Sequence, residues 1–198
     1  MKKHDVIIIG GGPGGSTLAA YLAKKGYDVG IFEREAYPRF HIGESLLPAS
    51  MPIFKETGFY ETLSNGNYIQ KFGAQFVDYQ SEEDIYFGFE GGINADIPMA
   101  FEVERRDFDR DILAHAVKCG ATLYQPEDVK EVSFFDSHVS LRTWKGGEYE
   151  ASYIADATGR SALIGRKSQN RIPHEDLNNV AVFSHFVGVK RKPGKSEG

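Results

Sequence analysis

The sequence predicts an α/β fold: a mostly parallel sheet continued by a β-meander, with a second, antiparallel sheet inserted into it. Three observations carry this. The apolar run Val6-Ile7-Ile8-Ile9 passes without a gap into Gly10-Gly11-Gly12-Pro13-Gly14-Gly15. A continuous β-branched run reads as a strand buried on both faces, as in a parallel sheet. Between about residues 68 and 104 the texture becomes aromatic and partly alternating, which reads as antiparallel strands. "RDFDRDILAHAVKCG" then returns to helical spacing and leads into four strand-like segments.

Taken in order, Pro13 suits the first turn of a helix, where its missing N–H costs nothing. Leu18, Ala19, Leu22 and Ala23 give that helix an apolar face, and Gly26 ends it. Asp28 to Phe32 is the second strand, completing a Rossmann-like βαβ unit. Residues 35–44 are irregular. Ser45 is expected to cap a helix running to Thr57, with Gly58 as its stop, and a short helical piece follows over Tyr60–Ser64. "YIQKFGAQFVDY", "DIYFGFE" and "IPMAFEVE" are the inserted strands. The next helix carries Phe108, Ile112, Leu113, Ala116 and Val117 inward and closes at Gly120. "ATLY", "DVKEVSFF", "HVSLRTW" and "EYEASYIADATG" form one strand and a meander, with Gly146-Gly147 turning a hairpin. "NNVAVFSHFVGVKR" is expected to be a last strand that rejoins the inserted sheet.

Composition excludes several classes. The net charge is −5 and no basic stripe forms, which argues against a nucleic-acid partner. The basic run Lys190-Arg191-Lys192 with Lys195 reads as a solvated tail. The single cysteine, Cys119, allows no internal disulfide, and no Cys/His spacing suits zinc. A cytoplasmic location follows as the default expectation. The apolar run behind Met1-Lys2-Lys3 is too short for a signal peptide, and no stretch reads as a stable membrane insertion.

Gly10-x-Gly12-x-x-Gly15 is a dinucleotide fingerprint. Gly10 permits a tight turn, Gly12 the approach of a pyrophosphate, and Gly15 close packing of helix on strand. Pro13, Gly14 and Ser16 complete the turn, and the helix start offers free N–H groups to phosphate. Glu33, 23 residues past Gly10, ends the second strand where an acid accepts ribose hydroxyls. The fingerprint alone does not separate FAD from NAD.

Three further stretches do. "IFEREAYPRFHIGES" has Glu33-Arg34 and then Arg39; Val103-Glu104-Arg105-Arg106-Asp107-Phe108-Asp109 opens a helix; Asp156-Ala157-Thr158-Gly159 ends a strand. With these the chain resembles the FAD-dependent family of aromatic-ring monooxygenases, geranylgeranyl reductases and flavin-dependent halogenases. The resemblance implies FAD as cofactor, with Arg34, Arg105, Val129 and Asp156, Ala157, Thr158, Gly159 among its contacts. "PRFHIGESLLP" is most similar to the halogenase branch, and implies that Arg39, Gly43, Glu44 and Ser45 flank the flavin. Gly43 would allow close approach, and N–H groups at a helix beginning at Ser45 could hold polar flavin atoms or an anion. His41 is a weaker candidate in the same loop. His115 reads as a packing residue and Cys119 as inert.

The halogenase branch uses a lysine near the start of its substrate sheet to hold hypohalous acid. The match is Lys71. Strand alternation sets Phe72, Ala74 and Phe76 on one face and Lys71 on the other, which leaves an exposed lysine as the rival reading. The resemblance implies an electron-rich aromatic small-molecule substrate, halide and O2 as co-reactants, and a separate flavin reductase. It divides the chain into an FAD-binding domain, residues 1–66 and 105–168, and an incomplete substrate-domain sheet, residues 67–104 and 178–198. A Gly-Asp pair for the ribityl chain and a Trp-x-Trp-x-Ile-Pro signature are absent from the 198 residues, so the expectation is an N-terminal fragment. Two rival readings stay open: an FAD monooxygenase or geranylgeranyl-reductase-like enzyme, and a nucleotide-binding module without catalysis.

Overall fold

The computed structural model describes all residues except 79, 82, 93–95, 171, 173, 175, 178, 179, 181, 185 and 189–198. In chain order the elements are β1 (Lys2–Ile9), α1 (Pro13–Lys24), β2 (Val29–Phe32), α2 (Met51–Thr57), α3 (Tyr60–Asn65), β3 (Ile69–Lys71), β4 (Gly73–Val77), β5 (Asp84–Gly88) and β6 (Ala100–Glu102). Then follow α4 (Arg105–Lys118), β7 (Thr122–Tyr124), β8 (Val129–Phe134), β9 (Val139–Thr143), β10 (Glu148–Asp156) and α5 (Leu163–Lys167).

The main sheet has the order β7-β2-β1-β10-β9-β8. β7, β2, β1 and β10 are mutually parallel, and β10, β9 and β8 form the antiparallel meander. This is the expected architecture. Ile7 and Ile8, at the centre of β1, are both fully buried, so the strand is covered on both faces. On one face Ile8 and Ile31 pack with Ala19 and Ala20 of α1 and Leu113 and Ala116 of α4. On the other, Ile7, Ile9 and Phe32 pack with Val129, Val132, Val139 and Leu141. A third cluster joins Phe54 of α2, Leu63 of α3, Phe101 of β6 and Phe108 and Ile112 of α4, with Phe59 between α2 and α3. The α4 helix therefore contributes to two cores.

Three expectations need correction, and a fourth falls largely outside the described residues. No helix starts at Ser45; one turn of 3-10 helix spans Pro48–Ser50 and α2 begins at Met51. Pro48 disfavours helical geometry at the residue before it, and Leu47 is extended. The Leu46 N–H is already used, donating to the Phe101 carbonyl at 3.0 Å. Gly58 does end α2, in the left-handed conformation. Secondly, the inserted strands form two separate two-stranded sheets, β3 with β6 and β4 with β5. Thirdly, the strand is interrupted at Phe72, between β3 and β4, so period-2 counting does not carry across it. Lys71 is buried, not solvent-facing. Fourthly, no strand occurs among the described residues beyond Asp156. Much of the expected strand 178–191, and the basic run after it, lies outside the described residues.

Candidate FAD site

A cavity of about 1000 Å³ opens at the C-terminal ends of the parallel strands. This is where open α/β sheets bind ligands. Its floor is the glycine turn. Gly10 has a φ of +105°, and a Cβ there would stand 2.4 Å from the Ala157 carbonyl oxygen. A Cβ on Gly15 would stand 1.9 Å from the Gly10 carbonyl oxygen, so α1 rests directly on the turn. Gly12 and Gly14 face open space: nothing lies within 4 Å of a Cβ at Gly14, and only Arg39 Nη2, at 3.8 Å, is near one at Gly12. Gly14 and Gly15 occupy the helix start, where N–H groups have no intrahelical acceptor. Ser16 is buried, and its hydroxyl donates to the Gly11 carbonyl at 2.7 Å. It braces the turn from beneath.

Glu33 is almost fully buried at the end of β2 and lines the cavity. Its carboxylate accepts the N–H of Gly11 at 2.7 Å and of Glu35 at 2.8 Å, so it fixes the turn as well as facing the cavity. The Tyr37 hydroxyl donates to it at 3.4 Å. Burial and the neighbouring Glu33 carboxylate push the Tyr37 phenol up, which keeps it neutral and able to donate. Arg39 Nη2 donates to the Tyr37 oxygen at 3.1 Å and lies 3.3 Å from Asp109 Oδ2.

Asp109 is fully buried and also receives Arg105, Nε to Oδ1 at 2.7 Å and Nη2 to Oδ2 at 3.0 Å. The remaining Arg105 nitrogen, Nη1, donates to the Ile42 carbonyl at 2.8 Å and the Gly43 carbonyl at 3.4 Å. Arg105 thus holds the 39–45 loop. Gly43 has a φ of +103°, and a Cβ there would stand 3.3 Å from Arg105 Nη1. The opposite wall is the Asp156–Gly159 turn. Asp156 accepts the Thr158 hydroxyl at 2.6 Å and N–H at 3.1 Å, and the Ile164 N–H at 2.7 Å. Burial works against ionisation there, but these hydrogen bonds outweigh it and hold the carboxyl below the usual range.

Of the residues expected from sequence, Gly10, Gly12, Pro13, Gly14, Glu33, Arg34, Arg39, Arg105, Val129 and Asp156, Ala157, Thr158, Gly159 line this one cavity, as does His41. Gly15 and Ser16 support the turn from below, and Gly43 sits under Arg105. Glu44 and Ser45 do not line the cavity. They run alongside β6: the Val103 N–H donates to the Glu44 carbonyl at 2.7 Å, and Ser45 pairs with Glu102. Sequence reading passed over Tyr37 and the role of Asp109, though Asp109 stands four residues after Arg105, the spacing at which helical side chains meet. It also passed over Arg160 and Arg166, which line the cavity. His115 packs on the Phe59 ring and reaches the Thr57 carbonyl at 3.0 Å, a structural role.

Lys71 lies outside the cavity and meets the loop at Ser45. Its ammonium donates to the Ser45 hydroxyl, lies 3.3 Å from Glu102 Oε1 and sits over the Phe89 ring at 5.7 Å. The strand register explains this. Ser45, Glu102 and Ile69 are opposite one another across three neighbouring segments, and Lys71 is opposite Ala100. Lys71 therefore reaches Glu102 diagonally on one face.

The residues fit FAD. The glycine cradle is space that a Cβ would fill, the acid at the end of β2 faces the same cavity, and Arg39 Nε is buried there without a hydrogen-bond partner. Comparison with known proteins agrees. The chain is 36% identical over 216 residues to a 1H-pyrrole-2-carbonyl-[peptidyl-carrier protein] chlorinase of Pseudomonas fluorescens, covering 97% of this chain and 48% of that protein. Among solved structures, the flavin-dependent halogenase CmlS matches with a TM-score of 0.77 and 35% identity, over 85% of this chain and 32% of that one. A flavoprotein/dehydrogenase from Cytophaga hutchinsonii matches with a TM-score of 0.77 and 34% identity, over 83% of this chain and 41% of that one. The chain thus spans about half, or less, of the length of these relatives. A model of the family described as "FAD binding domain" matches residues 3–188, and with the cavity built as above, the chain belongs to that FAD-binding family.

Proposed function

We propose that the chain forms the cofactor-binding part of a flavin-dependent halogenase that acts on an electron-rich aromatic small molecule. The observation that carries this reading is Lys71: buried, aromatic-flanked and bonded to the loop that borders the FAD cavity. The halogenase relatives support it. Reduced FAD, delivered by a separate flavin reductase, would give two electrons to O2, which would take two more from halide to yield hypohalous acid and water.

The chain's own residues then have distinct tasks. Glu33 holds the adenosine ribose, Gly10–Gly15 with Arg39 the diphosphate, and the His41–Gly43 stretch the flavin side. Arg105 fixes that loop through the carbonyls of Ile42 and Gly43. The Lys71 ammonium donates a hydrogen bond to hypohalous acid and directs its halogen to the aromatic ring. Glu102 and Ser45 hold the lysine in place, and aromatic neighbours keep water away. In this reading the domain division at residues 66/67 and 104/105 separates cofactor binding from substrate binding.

The test supplies chemically reduced FAD, O2 and bromide with a panel of phenols and pyrroles. Brominated product that is lost in Lys71→Ala is the expected result. Hydroxylated product without bromination overturns the reading in favour of a monooxygenase or reductase, and bromination indifferent to Lys71→Ala overturns the role given to Lys71.

A further inference from the structure

Asp109 is the one carboxylate of α4 that has no exposed surface, and it carries two guanidinium groups. A buried carboxylate is tenable only when it is paired. The pairing here is unequal. Arg105 gives it two hydrogen bonds, at 2.7 Å and 3.0 Å, while Arg39 approaches one oxygen at 3.3 Å. One negative and two positive groups leave this trio with a formal surplus of one positive charge, which the half-exposed Glu35 offsets only through a water-screened attraction. The surplus lies beside the glycine cradle, because Arg39 is the group that a side chain at Gly12 would meet.

Arg39 is contested. Glu35 Oε2 stands 3.3 Å from its Nε, the same separation as that of Asp109 from Nη2. Glu35 is half-exposed, and its attraction is screened by water. Asp109 is not screened in this way. Tyr37 adds a hydrogen bond and a ring face at 4.8 Å to the guanidinium on the inner side. Arg39 Nε is left buried and without a hydrogen bond. A buried donor without an acceptor calls for an explanation, and an acceptor-rich dianion beside Gly12 would meet the guanidinium's charge at Nη2, the atom nearest that glycine.

We propose that Asp109 is a positioning residue for the FAD diphosphate: it holds the Nη2 end of Arg39 beside the glycine cradle, while Glu35 meets only the Nε side. It acts through Arg39 and touches no cofactor itself. The proposal rests on FAD as the cofactor and is independent of whether the enzyme halogenates.

Calorimetric titration of FAD, ADP and adenosine into the wild-type chain, Asp109→Asn, Arg39→Gln and the double variant tests it. Asp109→Asn is expected to weaken FAD and ADP about tenfold or more, and adenosine by less than about twofold, since the lost contacts are charge-assisted bonds to phosphate. The double variant is expected to be no weaker than the weaker single variant, because one residue works through the other. ADP affinity unchanged in Asp109→Asn overturns the proposal. So does an equal loss for adenosine, which marks a general fold defect, and so do additive losses in the double variant. If Asp109→Asn does not fold, Arg39→Gln alone decides, and ADP affinity unchanged in it overturns the proposal. A wild-type chain that binds none of the three ligands overturns the cofactor site as a whole, this role included.

Discussion

Single residues at this site do two jobs at once. Glu33 holds the glycine turn by accepting the Gly11 N–H while its carboxylate faces the cavity. Replacing it with alanine removes a charge-assisted bond and leaves a buried N–H without an acceptor, at about 1–3 kcal/mol, before any effect on ligand. Asp156 offers a cleaner measurement. Its carboxyl ionises more readily in the folded chain than in the unfolded one, so the folded state binds fewer protons at mildly acid pH. The stability it contributes is complete above the unfolded pKa and is lost as pH falls through the folded one. Urea unfolding of Asp156→Asn between about pH 3 and pH 6 should therefore show a shallower acid decline than the parent. An equal slope in both would place the charge effect elsewhere.

At the scale of elements, α4 is the member on which most depends. It gives Phe108 and Ile112 to one core and Leu113 and Ala116 to another, while Arg105 and Asp109, one turn apart, sit at its start. Phe108 meets the rings of Phe54, Phe59 and Tyr68 edge-on. Phe108→Ala should cost about 3–5 kcal/mol in denaturant unfolding, as a fully buried aromatic in a packed cluster. The βαβ unit, α4 and the meander were legible in the sequence because long elements with steady period and glycine stops leave little choice. The 38–50 segment was not. Ser45 looks like a helix cap when only the following residues are counted. Its actual partners, Phe101 and Glu102 next to Leu46 and itself, are distant in sequence. The same is true of Lys71: alternation could not see the interruption of the strand at Phe72, nor the Ala100 opposite that leaves it room.

For the whole molecule, most of the cofactor contacts expected from motifs converge on one cavity, because the motifs mark the C-terminal ends of β1, β2 and β10. The cluster that holds Arg39 was not visible as a cluster, since it joins residues 37, 39, 105 and 109 through folding alone. A ligand that binds only the folded chain must raise its stability. At FAD a hundredfold above Kd the gain is about 2.7 kcal/mol. For a chain of 198 residues this corresponds to a rise in Tm of roughly 5–10 °C. A thermal scan with and without FAD checks this, and no rise at such an excess would contradict specific binding.

The three residues of β6 have a practical meaning for anyone recombining this protein with its relatives. One edge of the strand pairs with β3, and the other is bonded to Glu44–Leu46 of the loop beside the cavity. A chimaera that exchanges residues 68–104 alone would bring a foreign edge to a native loop, and the backbone bonds of Leu46 to Phe101 and of Val103 to Glu44 would have to form against side chains that did not evolve with it, Lys71 on Ser45 among them. The unit of exchange is discontinuous: residues 38–48 have to travel with 68–104, even though only the second stretch looks like a separable module in the sequence.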